Sequence, residues 1–153
     1  MNKQQMHRAL DEMVEFYSAD PVGRRALIFD PDEPTGSCVM HTEDDRQCAY
    51  GRMVKPEYRL LLLDSAGLGG LSEHGAVPPQ HQPEFWLEEY IGLPLTFVYA
   101  LQHLHDSSLH WDENGLSLKG HEAVEKLRAR IQRDSEDQWM GAADGGLGVI
   151  PVR

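Results

Sequence analysis

Histidine is the residue type that could bring chemistry to this chain, because eight histidines stand among 25 carboxylates. A general base or a metal-bound water needs imidazole and carboxylate converging on one point. His103 and His105 are neighbours but one, so on a helix they point about 200° apart and cannot share an ion. His103 and Asp106 share a helix face at i and i+3, and His110 and Asp112 in the next segment could approach them. These four residues form the candidate metal set. A small metal-assisted hydrolase would use them to hold an ion that lowers the pKa of a bound water. The simpler reading, and the preferred one, is a histidine at a helix C-terminus, where the dipole favours a cation. His41 with Glu43 and Asp45 reads as a solvated turn, and His74 and His81 as loop residues.

Other chemistries find less support. The two cysteines, Cys38 and Cys48, would face each other if Ser37–His41 paired with the segment from Gln47. A disulfide would then be geometrically possible. The opening residues carry no apolar secretory stretch, so buried, reduced thiols are expected instead. No Cys-x-x-Cys points to zinc, and neither a Gly-x-Ser-x-Gly elbow nor a phosphate-cradling glycine loop is present. Gly67-Leu68-Gly69-Gly70 lacks the basic residue such a loop needs and reads as a helix stop. Asp112-Glu113-Asn114-Gly115 lacks the spacing of a calcium loop and reads as a turn. No cofactor is expected.

The acids carry the remaining functional signal. Asp11, Glu12 and Glu15, then Asp30, Asp32 and Glu33, then Glu43, Asp44 and Asp45 could line one face. Fourteen Lys and Arg against 25 Asp and Glu leave a net charge of −11, which disfavours direct binding to nucleic acid or an anionic membrane. Spaced carboxylates can instead occupy a basic groove of another protein. The competing explanation is solubility, since the acids are dispersed along the chain.

The elements that would position these groups are mostly helical. Met6, Ala9, Leu10, Met13, Val14 and Tyr17 form one apolar stripe, and Ser18-Ala19-Asp20-Pro21 ends that helix. Gly23–Phe29 fits a helical turn or a strand. Asp30–Gly36 reads as a loop and Ser37–His41 as extended chain. Gln47–Val54 fits a strand or a helix burying Cys48, Ala49 and Met53, and a strand passing into a helical turn is preferred. Leucine density predicts a helix over Pro56–Ala66, followed by a long loop over Ser72–Pro83 and a short helix over Pro83–Tyr90. Phe97, Val98, Leu101 and Leu104 mark a helix that opens at Pro94 and runs to Asp106. Ser117 caps the next helix, with Val124, Leu127 and Ile131 on one face. Two helices so joined should pack antiparallel.

These patterns predict a mainly α fold with a short β-hairpin (α+β) and a helical hairpin in the C-terminal half. Residues 1–133 form a single globular domain and residues 134–153 a glycine-rich tail, mobile or docked through Trp139. The longest apolar run, Leu60–Leu63, falls far short of the roughly 18 residues of a spanning helix.

Two stretches carry a resemblance. One is Ser37-Cys38-Val39-Met40-His41 followed by Asp44–Arg52, and the other is Leu101–Asp106 followed by Trp111–Ser117. In this order they resemble a group of small bacterial and phage proteins of unassigned function, over about Leu10 to Ile131. The resemblance implies a small helical domain with a short β element and carries over no activity. The Leu68–Pro83 segment and the tail lie outside it. The functional expectation is a non-enzymatic, cytoplasmic protein-binding module, in host cytoplasm if phage-encoded. It would engage a basic surface of another protein and could inhibit it. The alternatives are the metal-assisted hydrolase and a virion structural component docked through Trp139.

Overall fold

The computed structural model describes residues 2–30, 33–38, 42–58 and 83–140. Helix α1 spans Lys3–Ala19, and Asn2 caps it by accepting a hydrogen bond from the Gln5 N–H at 3.1 Å. Its buried side chains, Met6, Ala9, Leu10, Met13 and Tyr17, are the stripe the spacing predicts. Asp20 ends α1 and caps a single turn, α2 (Pro21–Arg24), with the proline at the position where its missing N–H costs nothing. The chain then becomes strand β1 (Leu27–Asp30), so Gly23–Phe29 resolves into a turn followed by a strand.

The hairpin is formed by β1 and β2 (Glu33–Cys38), paired antiparallel with Leu27 opposite Cys38 and Asp30 opposite Glu33. This corrects one expectation. Part of the predicted loop, Glu33–Gly36, is strand, and Ser37 and Cys38 pair with β1; residues 39–41 of the expected extended segment lie outside the described residues. Cys48 stands at a helix start. It caps helix α3 (Ala49–Met53), and its sulfur accepts from the Gly51 N–H at 3.3 Å.

Val54 leaves α3 and bridges to Trp86. Backbone bonds from Lys55 N to Phe85 O (2.8 Å) and from Leu87 N to Met53 O (2.9 Å) extend that contact. The bridge explains why Pro83–Tyr90 is not one helix. It forms two 3₁₀ turns, Pro83–Phe85 and Glu88–Tyr90, with fully buried Trp86 held extended between them. Of the helix expected over Pro56–Ala66, Pro56–Tyr58 is a 3₁₀ turn and residues 59–66 lie outside the described residues. The expected loop over 72–83 lies outside them up to residue 82.

Helix α4 spans Leu95–Asp106 and α5 spans Leu118–Arg133, capped by Ser117 as expected. Between them lie a 3₁₀ turn (Ser108–His110) and a minimal hairpin, β3 (Trp111–Asp112) with β4 (Gly115–Leu116). The Asp112 carboxylate accepts from the Asn114 N–H at 2.8 Å, and Gly115 takes φ 129°, a conformation that favours glycine. The two helices run antiparallel. Thr96, at the start of α4, bonds to the Trp139 carbonyl beyond the end of α5, while His110, beyond the end of α4, lies against Gly120 at the start of α5.

That last approach is close enough to require glycine. A Cβ at position 120 would stand 2.0 Å from the His110 carbonyl oxygen. Gly120→Ala is therefore expected to destabilise the fold by about 2 kcal/mol, despite alanine's better helix propensity. Thermal unfolding checks it, and an unchanged midpoint would mean the two segments separate freely.

The chain does not leave the body at Asp134. Helix α6 (Glu136–Met140) follows, and Trp139 is fully buried, edge-on to Phe97 at 5.6 Å and under the Arg130 guanidinium at 3.9 Å. Residues 141–153 lie outside the described residues. The architecture is mainly helical with a two-stranded antiparallel hairpin, as the sequence predicts. No helix among the described residues is long and apolar enough to cross a membrane.

Candidate functional site

The last turn of α4 carries the histidines and is best built from its backbone. A helix end leaves its final carbonyls without helical partners. Here the Leu104 carbonyl accepts from Trp111 Nε1 (2.9 Å) and from His110 Nδ1 (3.1 Å). The His105 carbonyl accepts from Arg25 Nε (2.9 Å) and the Asp106 carbonyl from Arg25 Nη2 (3.2 Å). Arg25 is buried and reaches this site from the end of α2, placing a cation at the negative end of the helix dipole.

His105 lies at the centre, fully buried and edge-on to the Tyr17 ring at 4.9 Å. Its Nδ1 is 2.7 Å from Asp106 Oδ1, and its Nε2 accepts from the Ala26 backbone N–H at 3.3 Å. The amide can only donate, so the ring carries its proton on Nδ1 and gives it to the carboxylate. Burial holds the imidazole pKa below its usual value of 6.5, and Asp106 opposes this in part. Gln102 completes the network, donating to Asp106 Oδ1 (2.8 Å) and accepting from the Tyr50 N–H (3.0 Å). This has the composition of a catalytic His–Asp pair but a different use. Both ring nitrogens are engaged, leaving no lone pair to take a substrate proton.

Of the four candidate metal residues, Asp106 turns into this buried network and Asp112 closes its own hairpin. His103 and His110 do meet, with ring centres 6.1 Å apart. Among the described residues, no group of three or more His, Cys, Asp or Glu side chains is placed to hold a metal ion. Periodicity did hold a signal for His105: it lies four residues past Leu101 and seven past Val98, on the apolar stripe.

Cys48 is a free thiol, fully buried, with its pKa pushed up to about 12 by burial, against the weaker opposing pull of the Gly51 N–H. It is expected to resist alkylation. In a Cys38→Ser background, iodoacetamide should modify Cys48 about a hundredfold more slowly in native buffer than in urea. Comparable rates in the two conditions would mean that the thiol is accessible in the fold.

The expected acidic face divides. Asp11 pairs with Arg128 of α5 at 2.5 Å, and Glu12 makes a two-pronged pair with Arg52 of α3. These acids tie α1 to its neighbours. Asp44 accepts from Thr42 and Arg46, which hold its carboxyl below the usual range. Asp45 accepts from the Gln47 side chain at 2.9 Å. Glu15 and Glu43 are exposed. Asp32 lies outside the described residues, as do the side chains of Asp30 and Glu33.

A separate concavity lies where the start of α1 meets the turn at Glu88–Tyr90. It encloses about 640 Å³, within the range of ligand clefts. Ala9, Leu87 and Tyr90 supply its apolar lining, and Arg8, Glu12, Arg52 and Glu89 its charges. Arg52 is fixed between the Glu12 carboxylate and the Phe16 ring, 3.6 Å below the guanidinium. The Tyr90 hydroxyl donates to Glu12 at 3.5 Å, and burial, followed by the Glu12 charge, raises its pKa to about 12. Gln5 joins the two walls by donating to the Glu89 and Ile91 carbonyls at 2.8 and 3.0 Å. Arg8 and Glu89 are exposed at the rim, and neither side chain has a partner among the described residues. Sequence reading missed this site because its walls come from segments more than 80 residues apart, joined by those Gln5 bonds. No protein-family model, curated protein or solved structure matches this chain.

Proposed function

We propose that this chain is a binding module, with no chemistry of its own, that takes a basic segment of another protein into the cleft between α1 and the Glu88–Tyr90 turn. The observation carrying this reading is the rim, where a free carboxylate at Glu89 stands beside an apolar wall in a chain of net charge −11. The overall field draws cationic partners in, and Glu89 can receive a lysine or arginine side chain. Arg8, across the rim, is a like charge that opposes a basic segment. Ala9, Leu87 and Tyr90 offer an apolar seat for a neighbouring side chain. The internal engagement of His105 and the burial of Cys48 agree with a role in recognition rather than catalysis.

Fluorescent peptides combining arginine with one aromatic anchor test this reading. Their affinity should fall at least about tenfold between about 0.05 and 0.5 M salt, because the steering charge is screened. Glu89→Lys should weaken binding about tenfold, whereas Arg8→Ala should leave it equal or tighter. A preference for the acidic counterparts of these peptides, or binding indifferent to salt and to Glu89→Lys, overturns the proposal.

A further inference from the structure

A second surface has the opposite character and shares no residue with the cleft. Helices α4 and α5 leave a shallow groove of about 220 Å³ between them. Small residues open it: Ala100 on one helix and Ala123 on the other, over a floor of Leu104 and Leu127. Nitrogen bases line it, namely His103, His110, Lys126 and Arg130. Arg130 is held in place by Asp134 at 3.0 Å and by the Trp139 ring beneath it. The His110 ring is fixed by its Nδ1 bond to the Leu104 carbonyl, so Nε2 remains available to a ligand. Lys126 has no partner among the described residues.

Outside the groove, two apolar side chains are exposed. Leu109 and Leu118 are 63% and 78% exposed, and the short Ser117 hydroxyl bond to the Leu109 carbonyl keeps their segments together. From Ala123 to Arg130 the groove follows α5 for about 10 Å, about two helical turns. A groove between two helices, apolar at its floor and cationic at its edges, is matched by one helix with an apolar stripe and acidic flanks.

We infer that the α4–α5 groove is a docking site for an acidic amphipathic helix of another protein. A second copy of this chain is disfavoured as occupant, because two bodies of net charge −11 repel. The same net charge does not forbid an acidic helix. At physiological salt the screening length is about 8 Å, so unpaired Lys126 acts locally on a ligand in the groove while charges farther than that are screened.

A helical peptide with leucines at i, i+3 and i+7 and glutamates on its flanks is the probe. Its control carries lysine in place of each glutamate. The full chain should bind the acidic peptide at least about tenfold more tightly than the control. Lys126→Glu should reduce that binding about tenfold, and Ala123→Leu, which fills the groove, should abolish it, while Glu89→Lys leaves it unchanged. Circular dichroism of each variant confirms the fold, so a lost signal reports the groove. Equal binding of both peptides, binding of neither, or binding that survives Ala123→Leu overturns the inference. A dimer in sedimentation that Ala123→Leu dissociates would assign the groove to a second copy and also overturns it. Since the two sites are separate, failure here leaves the cleft proposal standing, and the converse holds.

Discussion

Arg25→Ala is expected to lose about 3 kcal/mol of stability, seen as a lower urea midpoint at an unchanged slope. Arg25 is 5% exposed, and its guanidinium donates to two carbonyls that terminate α4, His105 and Asp106. Alanine would leave both acceptors unsatisfied and remove the cation facing the helix dipole. The guanidinium also lies 5.8 Å from the Trp111 ring centre, so its loss loosens the packing under the β3–β4 hairpin. Lysine should recover less than half of the loss, because an ammonium cannot present two donors in a fixed fork. A loss below about 1 kcal/mol for alanine would mean that water replaces the guanidinium at these carbonyls, and the helix end would not depend on Arg25.

The same residue shows where sequence reasoning stops. Periodicity exposed the helices, because an apolar stripe is a local property: Met6 to Tyr17 in α1 and Val124 to Ile131 in α5 needed no tertiary information. Caps were legible for the same reason, as Ser117 shows. Arg25 was not legible, since nothing near it in sequence shows that its targets lie 80 and 81 residues away. Strand assignment failed for a related reason. Glu33–Gly36 holds a proline and a glycine and looks like loop by composition, yet its register opposite β1 makes it strand. The acids misled in a third way. Asp11 and Glu12 look alike in a charge count, but each meets an arginine on a different helix, so both act as clamps more than as a surface. The candidate cleft belongs to the same class, assembled by Gln5 reaching Glu89 and Ile91.

His105→Ala should cost about 4 kcal/mol near neutral pH, and the difference from the natural chain should shrink as pH falls. The first part follows from burial. The substitution opens a cavity beside Tyr17 and leaves the Ala26 amide and one Asp106 oxygen without the ring. The second part follows from proton linkage. Burial depresses the folded-state pKa of this imidazole below the usual 6.5. Above that value the ring is neutral in both states and pH has no effect through it. Below it, the unfolded chain binds a proton that the folded chain refuses, so stability falls with pH, by up to about 1.4 kcal/mol per unit. The fall continues until the folded-state pKa is reached. Asp44 and Asp134 cannot imitate this. Their carboxyls are held below the ordinary 3.8 by hydrogen bonds from Thr42 and Arg46, and from Arg133 and Arg130, so they withdraw stability only at more acid pH. Urea midpoints for both proteins between about pH 7.5 and 5 therefore isolate the imidazole. Parallel profiles would show that His105 accepts a proton while folded, and the Nε2–Ala26 bond that withholds it from catalysis would have to break.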